Sequence, residues 1–278
     1  MQVSKVLNNN VIIADDPHYG EVVVIGKGIG FGRKESDPIE SEAAEKMFIL
    51  RSRREQEQYK QLLPQVDERL IEVMDEALQH IRSRSGAELN EHIHVALTDH
   101  IGFALKRIEQ GITFQNPFLY ETKEIYPEEY KLAEYVVDLI EQRFGTSLGS
   151  DEVGFVALHI HSAMTNRPIG EVKEHSQLIA DLIDLIEQSL GGGLNRTSLD
   201  YSRLLTHLRF AIERVRRGEE VRSTDRLAEL LGREYPEMYS LAWKLTKVME
   251  KRLGLPVYKA EVSYLTVHLQ RLAEREGL

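Results

Sequence analysis

Hydrophobic and polar positions follow two different periods along the chain. In the first fifty residues, short runs such as VIIA and EVVVI alternate with turn-forming segments such as NNN and DDPHYG, a pattern typical of strands joined by tight turns. Beyond a charged segment, Arg51–Lys60, apolar residues recur every three or four positions, which is the period of a helix that buries one face. The pattern therefore predicts a small β-module followed by a larger helical region.

These periods also place the individual elements. Strands are expected in VSKVLNN, NVIIA and EVVVIG, with KMFIL near residue 48 as a fourth candidate. The three glycines at 191–193 should interrupt the helical region. The first helix presents an apolar face made of Val66, Leu70, Ile71, Met74, Leu78 and Ile81. Further helices are expected at about 88–110, 128–144, 151–165, 172–190, 198–217, 236–253 and 259–274.

The helical region contains an internal repeat. LTDHIGFALKRIEQG, which begins at Leu97, aligns with LTHLRFAIERVRRG, which begins at Leu205, when their histidines are superposed. YPEEYKLAE and YPEMYSLAW align at nearly the same spacing, about 108 residues. A repeat of this length is a domain and not a solenoid unit. We therefore expect a β-domain at 1–58 and two homologous helical domains at 62–170 and 171–278.

Composition and charge narrow the class of protein. The chain of 278 residues has no cysteine and a net charge of -10, and no apolar run reaches the ~20 residues of a membrane span. Residues 1–60 hold nine Lys/Arg and ten Asp/Glu, so nearly all the acidity lies in the helical region. We expect a cytoplasmic protein without membrane insertion, whose nearly neutral β-module could bind a polyanion through a small basic face.

Four histidines stand at matched positions of the repeat: His100 and His159 in the first copy, and His207 and His268 in the second. Each borders an apolar helical stripe, so a core histidine with a satisfied hydrogen bond is one reading. A metal site is disfavoured, because the two HIH pairs point about 200° apart on a helix and no H-E-x-x-H is present. Hydrolysis by a nucleophile is disfavoured by the lack of G-x-S-x-G. Phosphorylation of the imidazole remains.

Charged residues accompany these histidines. Glu152 and Glu261 each lie two helical turns before a repeated histidine, on the same face. They could orient an imidazole or repel a phosphoryl group, and a solvated glutamate at a helix start is equally compatible. A phosphoryl group brings a charge of about -2, which could recruit a nearby arginine; Arg107, Arg209 and Arg214 are the candidates.

The stretch VVVIGKGIGFGR contains glycine at 26, 28, 30 and 32. A phosphate-binding loop requires a helix directly after its glycines, but the loop-like RKESDPIE follows here. As a strand, the stretch would place its glycines on one face and Lys27, Ile29, Phe31 and Arg33 on the other. The bare face would let RNA or a partner backbone approach closely. A packed glycine strand without a ligand is the alternative.

Taken in order, KVLNNNVIIA, IGKGIGFGRK, LTDH and GFVALHIHSA carry a resemblance that covers essentially the whole chain. The sequence resembles the BglG/SacY/LicT family of transcriptional antiterminators, and NEHIHVALTDHI and HIHSAMTNRP point to its glucose-type subgroup. The resemblance implies an α+β multidomain fold. A small antiparallel β-sheet RNA-binding domain would precede two homologous all-α helical-bundle domains of the phosphotransferase-system (PTS) regulation type.

The resemblance also implies a mechanism. As a homodimer, the protein would bind a hairpin in nascent mRNA, prevent a terminator from forming and turn on a sugar PTS operon. The phosphocarrier HPr or the glucose permease would phosphorylate the regulation domains on His100, His159, His207 and His268. Thr206 stands where the first copy has Asp99, so the two domains need not respond alike. Matching positions implicate Lys5, Asn8, Asn10, Gly26, Lys27 and Phe31 in RNA binding.

Two other functions remain open from the residues alone. One is a DNA-binding regulator with the same control domains, although residues 1–50 look strand-rich and not like a helix-turn-helix. The other is an enzyme that passes a phosphoryl group onward from histidine. We expect neither catalytic residues nor a metal or other cofactor.

Overall fold

A computed structural model describes residues 1–7, 9–40, 44, 46–48, 57–58, 61–62, 66–220 and 225–276. The β-module is one antiparallel sheet with the strand order β1-β2-β3-β4. Its strands are β1 Gln2–Val6, β2 Val11–Asp16, β3 Gly20–Ile25 and β4 Lys46–Phe48. All four predicted strands are therefore present, including the short one near residue 48.

Both faces of this sheet are apolar and both are covered. Side chains alternate across a strand, and β2 pairs with β3 so that Val11 lies opposite Ile25 and Ile13 lies opposite Val23. One face, with Ile12 and its neighbours, packs beneath the loops of the module itself. The core on that face consists of Val3, Ile12, Ala14, Val22, Val24, Ile29 and Ile39. The other face packs against the first helices, through Val11, Val23, Ile25, Ile71 and Val95.

The glycine-rich stretch does not continue strand β3, so the expectation that its glycines share one face of a strand is wrong. The strand ends at Ile25, and residues 27–32 form consecutive turns. Gly28 and Gly32 have φ of 70° and 68°, the left-handed region that glycine enters without steric cost. Ile29 N–H donates to the Gly26 carbonyl at 3.0 Å, and the Ile29 side chain fastens the turns to the sheet.

The remainder of the described chain is helical. The predicted helices are all present, and two short ones, Leu119–Ile125 and Asp225–Glu234, were not predicted. The helices are α1 Glu68–Ser85, α2 His92–Glu109, α3 Leu119–Ile125, α4 Pro127–Phe144, α5 Ser150–Thr165, α6 Ile169–Leu190, α7 Leu199–Arg217, α8 Asp225–Glu234, α9 Pro236–Leu253 and α10 Lys259–Glu276. The predicted break follows α6, where Gly191 takes φ of 76° and its N–H donates to the Glu187 carbonyl.

The chain divides into two compact units. The first unit joins Met1–Phe114 to Lys131–Arg167, and the second joins Gln115–Tyr130 to the residues from Pro168 onward. In the first unit α2 packs against α1 and α5. In the second unit α10 packs against α7 and α9. Each histidine-bearing pair of helices, α2 with α5 and α7 with α10, is therefore in direct contact. The domain boundaries at 1–58, 62–170 and 171–278 stay predictions.

Segment Gln115–Tyr130 belongs to the second unit because α3 lies against α6 and α7. The buried Glu121 carboxylate accepts hydrogen bonds from the Tyr201 hydroxyl at 3.1 Å and from the Arg196 guanidinium at 3.3 Å. A buried carboxylate is costly unless it is paired and hydrogen-bonded, and these two partners supply that compensation.

Ile71 lies in the core shared by the sheet and the first helices and is 1% exposed. We expect Ile71→Ala to lower the free energy of unfolding of the first unit by about 2–5 kcal/mol, because it removes buried methyl groups and leaves a cavity. Chemical denaturation measures this change. Leu199→Ala is the control: that leucine is 66% exposed, so its loss should cost no more than about 0.5 kcal/mol. Equal losses in both variants would contradict the assignment of Ile71 to this core.

Candidate functional sites

The first pair of repeated histidines meets a buried carboxylate between α2 and α5. The Nε2 atom of His100 lies 2.9 Å from Oε2 of Glu152, and the guanidinium of Arg107 donates to Oε1 of the same carboxylate. Glu152 is 1% exposed. His159, on the same helix as Glu152, places its ring centroid 4.9 Å from that of His100. One carboxylate thus holds an imidazole and a guanidinium at the same time.

Aromatic rings close this first cluster on the arginine side. The Arg107 guanidinium lies 4.0 Å from the centre of the Phe114 ring and 5.9 Å from that of Phe103, within the range of a cation–π contact. Phe155 contacts the His100 ring edge-on, at 5.9 Å between centroids. The Arg107 side chain is only 5% exposed. The arginine is therefore committed to the cluster and is not a free surface cation.

The second pair of histidines repeats this arrangement between α7 and α10. His207 Nε2 lies 3.3 Å from Oε2 of Glu261, and Arg214 forms a bidentate pair with the same carboxylate at 2.8 Å to each oxygen. Glu261 is 1% exposed. The His207 and His268 ring centroids are 4.7 Å apart, and Tyr264 occupies a position beside His207 like that of Phe155 beside His100. The two clusters share all four residue types.

Electrostatics keep both carboxylates charged. Burial alone would raise the pKa of Glu152, but the hydrogen bonds from His100 and Arg107 outweigh it and lower the pKa. The same balance of burial against His207 and Arg214 lowers the pKa of Glu261. An ionised carboxylate accepts hydrogen bonds and cannot donate them. Each carboxylate therefore favours the imidazole tautomer that carries its proton on Nε2.

The companion histidine of the second cluster is held neutral. Burial, followed by the positive charge of His207 when protonated and of Arg271, lowers the pKa of His268 to about 4. At neutral pH its ring is therefore uncharged.

This geometry decides between the alternatives that the sequence left open for the glutamates. Glu152 and Glu261 are not solvated residues at a helix start; they are buried carboxylates that lie 2.9 and 3.3 Å from Nε2 of His100 and His207. The expectation that a nearby arginine waits for a phosphoryl group has to be adjusted. Arg107 and Arg214 already bind the glutamates. The constant spacing of these arginines in the repeat was the signal for this role.

The candidate RNA-binding residues gather at one end of the sheet. The β1–β2 turn and the turns after β3 meet there, since Gly26 N–H donates to the Asn10 carbonyl at 3.0 Å and Gly30 N–H donates to the Asn9 carbonyl at 2.8 Å. The Asn10 side chain accepts a hydrogen bond from Gly28 N–H at 2.7 Å. Asn10 therefore supports the glycine turns, a role that base-edge reading alone did not suggest.

The same end of the sheet presents an uncovered aromatic ring. Phe31 is 77% exposed, more than any other large apolar side chain in the described part of the chain. Lys27 is exposed in the same turns, and Lys5 is exposed on β1. Gly26 is buried, and its N–H joins the two turns through the hydrogen bond to Asn10. Asn8 lies outside the described residues.

Comparison with known families agrees with this division of the chain. Residues 1–57 match the CAT RNA binding domain. The PRD domain matches twice, at residues 75–163 and 180–272. The chain belongs to the family of PRD-containing transcriptional antiterminators. The family resemblance and the α+β fold class, a small antiparallel β-domain followed by two homologous helical domains, are thereby confirmed.

Individual relatives match nearly the full length. The "PtsGHI operon antiterminator" of Bacillus subtilis (strain 168) is 51% identical over 273 residues, which is 98% of this chain and 97% of that protein. The "GlcA/glcB genes antiterminator" of Staphylococcus carnosus (strain TM300) is 36% identical and covers 98% of this chain and 96% of its own. A solved structure described as "Crystal structure of GlcT CAT-PRDI" is 55% identical, with a TM-score of 0.53, over 59% of this chain and 98% of that one.

None of the helices in the described part of the chain is both long and apolar enough to cross a bilayer.

The neutral state of His268 generates a pH dependence. In the unfolded chain its pKa returns to 6.5, whereas in the folded protein it is about 4. Between these values the unfolded chain binds a proton that the folded protein does not, so stability should fall as the pH drops from about 6.5 to about 4. Urea denaturation of wild type and His268→Gln at a series of pH values tests this. The variant should lose less stability over that range, and parallel curves would show that His268 does not titrate as described.

Proposed function

We propose that this protein is an RNA-binding transcriptional antiterminator controlled by phosphorylation of its repeated histidines. As a homodimer, it would bind a hairpin in nascent mRNA, prevent an overlapping terminator and so allow a sugar PTS operon, in the first place that for glucose, to be transcribed. The duplicated His–Glu–Arg–His cluster, built twice in a chain that begins with an RNA-binding domain, is the observation that carries this proposal.

The end of the sheet around Asn10 supports the RNA half of the proposal. A flat, exposed ring such as Phe31 can stack on an unpaired base, and RNA loops are commonly recognised in this way. The exposed amines of Lys5 and Lys27 can contact phosphates. Asn8, Asn10 and Gly26 complete the proposed surface: Asn10 and Gly26 hold the turns in place, and Asn8 is retained from the family motif.

The two clusters support the regulatory half. The side chains of His100 and His207 are 16% and 13% exposed, and Nε2 of each is buried. Each histidine therefore reaches the surface with only a small part of its side chain. A phosphoryl group would place a charge of about -2 close to an ionised carboxylate, and the repulsion between them would disturb the helix pair that carries both. The proposed phosphorylation sites are His100, His159, His207 and His268.

The partners follow from the type of control. Phosphoryl donors would be the phosphocarrier HPr and the glucose permease, with the permease acting on the first regulation domain to inactivate the protein. Two relatives named for glc genes or for a PtsGHI operon support this choice of sugar system. Action on nascent transcripts implies a cytoplasmic protein. The clusters would receive phosphoryl groups and not pass them on, so the protein would be a regulator and not an enzyme.

Replacing Phe31 with alanine should weaken binding to the target hairpin by about tenfold or more, because one base-stacking contact is worth about 1–3 kcal/mol. Filter binding or fluorescence anisotropy with the full-length protein measures the dissociation constant. Tyr19→Ala is the matched control. Tyr19 is also an exposed aromatic, at 56%, but lies in the β2–β3 turn at the opposite end of the sheet. If Phe31→Ala binds as wild type does, or if both variants weaken equally, the proposed RNA surface is wrong.

Incubation with phosphorylated HPr and the glucose permease domain should place a phosphoryl group on the cluster histidines. Mass spectrometry under conditions that preserve phosphohistidine would locate it. His100→Ala should remove the modification at that position, whereas His80→Ala should not, since His80 stacks on Tyr135 away from the cluster. His100→Asp, which adds negative charge, should lower antitermination in a reporter assay. Full phosphorylation of His100→Ala in the first unit by the permease would refute His100 as its target.

A further inference from the structure

The two nitrogens of each cluster imidazole differ in their surroundings, and this difference has a chemical consequence. Nε2 of His100 faces the Glu152 carboxylate, and Nε2 of His207 faces the Glu261 carboxylate. Both Nε2 atoms are shut off from solvent, and neither is well aligned with the carboxylate for a hydrogen bond, so the carboxylate acts on the nitrogen mainly through its charge at 2.9 and 3.3 Å. The exposed 16% and 13% of these side chains therefore belong to other side-chain atoms, which leaves Nδ1 as the ring nitrogen that does not face the carboxylate.

The carboxylate also selects the tautomer. A neutral imidazole carries a proton on one nitrogen and a lone pair on the other, and the partner of one nitrogen decides which is which. Because the carboxylate beside Nε2 is ionised, it favours the tautomer that carries the proton on Nε2. The lone pair, and with it the nucleophilic character, then lies on Nδ1.

We propose that Nδ1 of His100 and Nδ1 of His207 are the atoms that accept the phosphoryl group, and that Glu152 and Glu261 are the residues that impose this choice. The proposal rests on the proposed function in that these histidines are phosphoryl acceptors, and it adds the atom and the positioning residue. Arg107 and Arg214 act one step further away, by holding the carboxylates in place.

The transfer of the phosphoryl group to Nδ1 needs no reactant other than the phosphoryl donor. The lone pair of Nδ1 forms the new nitrogen–phosphorus bond, while the bond between phosphorus and the donor atom breaks and its electron pair leaves with the donor. The proton on Nε2 stays on the ring, where the carboxylate accepts its hydrogen bond and offsets the positive charge that the ring gains. Attack by Nε2 would instead require the imidazole to move away from the buried carboxylate before the donor arrived.

The isomer of phosphohistidine tests the proposal. The full-length protein would be phosphorylated in two arms, one with phosphorylated HPr and the permease domain and the other with phosphoramidate, a small donor that needs no docking. Nuclear magnetic resonance or isomer-specific antibodies distinguish the Nδ1 from the Nε2 product. We expect the Nδ1 isomer at His100 and His207 in roughly tenfold or greater excess, since a charge-assisted hydrogen bond biases an equilibrium by about that factor.

The Glu152→Gln variant tests whether Glu152 positions the His100 imidazole or only stabilises the fold. A glutamine can offer either an oxygen acceptor or an NH₂ donor, so the tautomer is no longer imposed, and the excess of the Nδ1 isomer at His100 should fall by roughly tenfold or more. The excess at His207 should not change, which makes the second cluster an internal control. Glu134→Gln, on an exposed glutamate of α4, should leave both sites as in wild type, and circular dichroism would verify folding.

A second measurement needs neither variant nor donor. In the unphosphorylated wild type labelled with ¹⁵N-histidine, long-range ¹H–¹⁵N spectra should show the proton of His100 and His207 on Nε2. An Nδ1–H tautomer, or an Nε2-phosphohistidine from phosphoramidate in the folded protein, would overturn the proposal. Phosphorylation by phosphoramidate at Nδ1 but none by HPr or the permease would instead count against the proposed donors and leave the assignment of Nδ1 supported.

Discussion

A buried carboxylate held between an imidazole and a guanidinium is the interaction on which both histidine clusters depend. Glu152 and Glu261 are each almost completely buried, and a buried charge is tolerated only when it is paired and hydrogen-bonded. Removing one partner of such a group leaves the other unpaired, at a cost of about 3–5 kcal/mol. The carboxylate and its two partners therefore influence both the packing of the two helices and the position of the histidine.

The arginine is more deeply buried in the first cluster than in the second. Arg107 is 5% exposed and lies against Phe114, whereas the Arg214 side chain is 25% exposed and binds both oxygens of its carboxylate. Asp99 and Thr206, the substitution between the copies noted from the sequence, are both exposed residues next to the cluster histidine. The chemistry of the clusters is thus shared, and the differences lie at their edges.

The sequence predicted the elements whose hydrophobic spacing is periodic within one segment. It missed the elements that depend on contacts with distant residues. The long helices and all four strands follow from spacing that each segment carries by itself. Helix α3 was missed because its buried positions include Glu121 and Thr122, which form no apolar stripe and are explained only by Tyr201 and Arg196. Helix α8 is short, and Leu227 and Leu230 remain exposed.

The candidate sites show the same division. The spacing of Glu152 and His159 along α5 indicated a shared face, but the partner of the carboxylate, His100, comes from another helix. Alternating glycines from Gly26 onward imitate the period of a strand, and only the positive φ values of Gly28 and Gly32 mark the segment as turns. A role such as that of Asn10, whose side chain holds a distant amide, cannot be read from one segment.

Only one of the two apolar faces of the sheet is covered by the β-module itself. The side chains of Val11, Val23 and Ile25 are covered by Ile71 and Val95 of the neighbouring helices, and these contribute to one continuous apolar cluster. A boundary drawn near residue 58 therefore divides residues that share one apolar cluster. Loss of α1 and α2 would therefore uncover that face of the sheet.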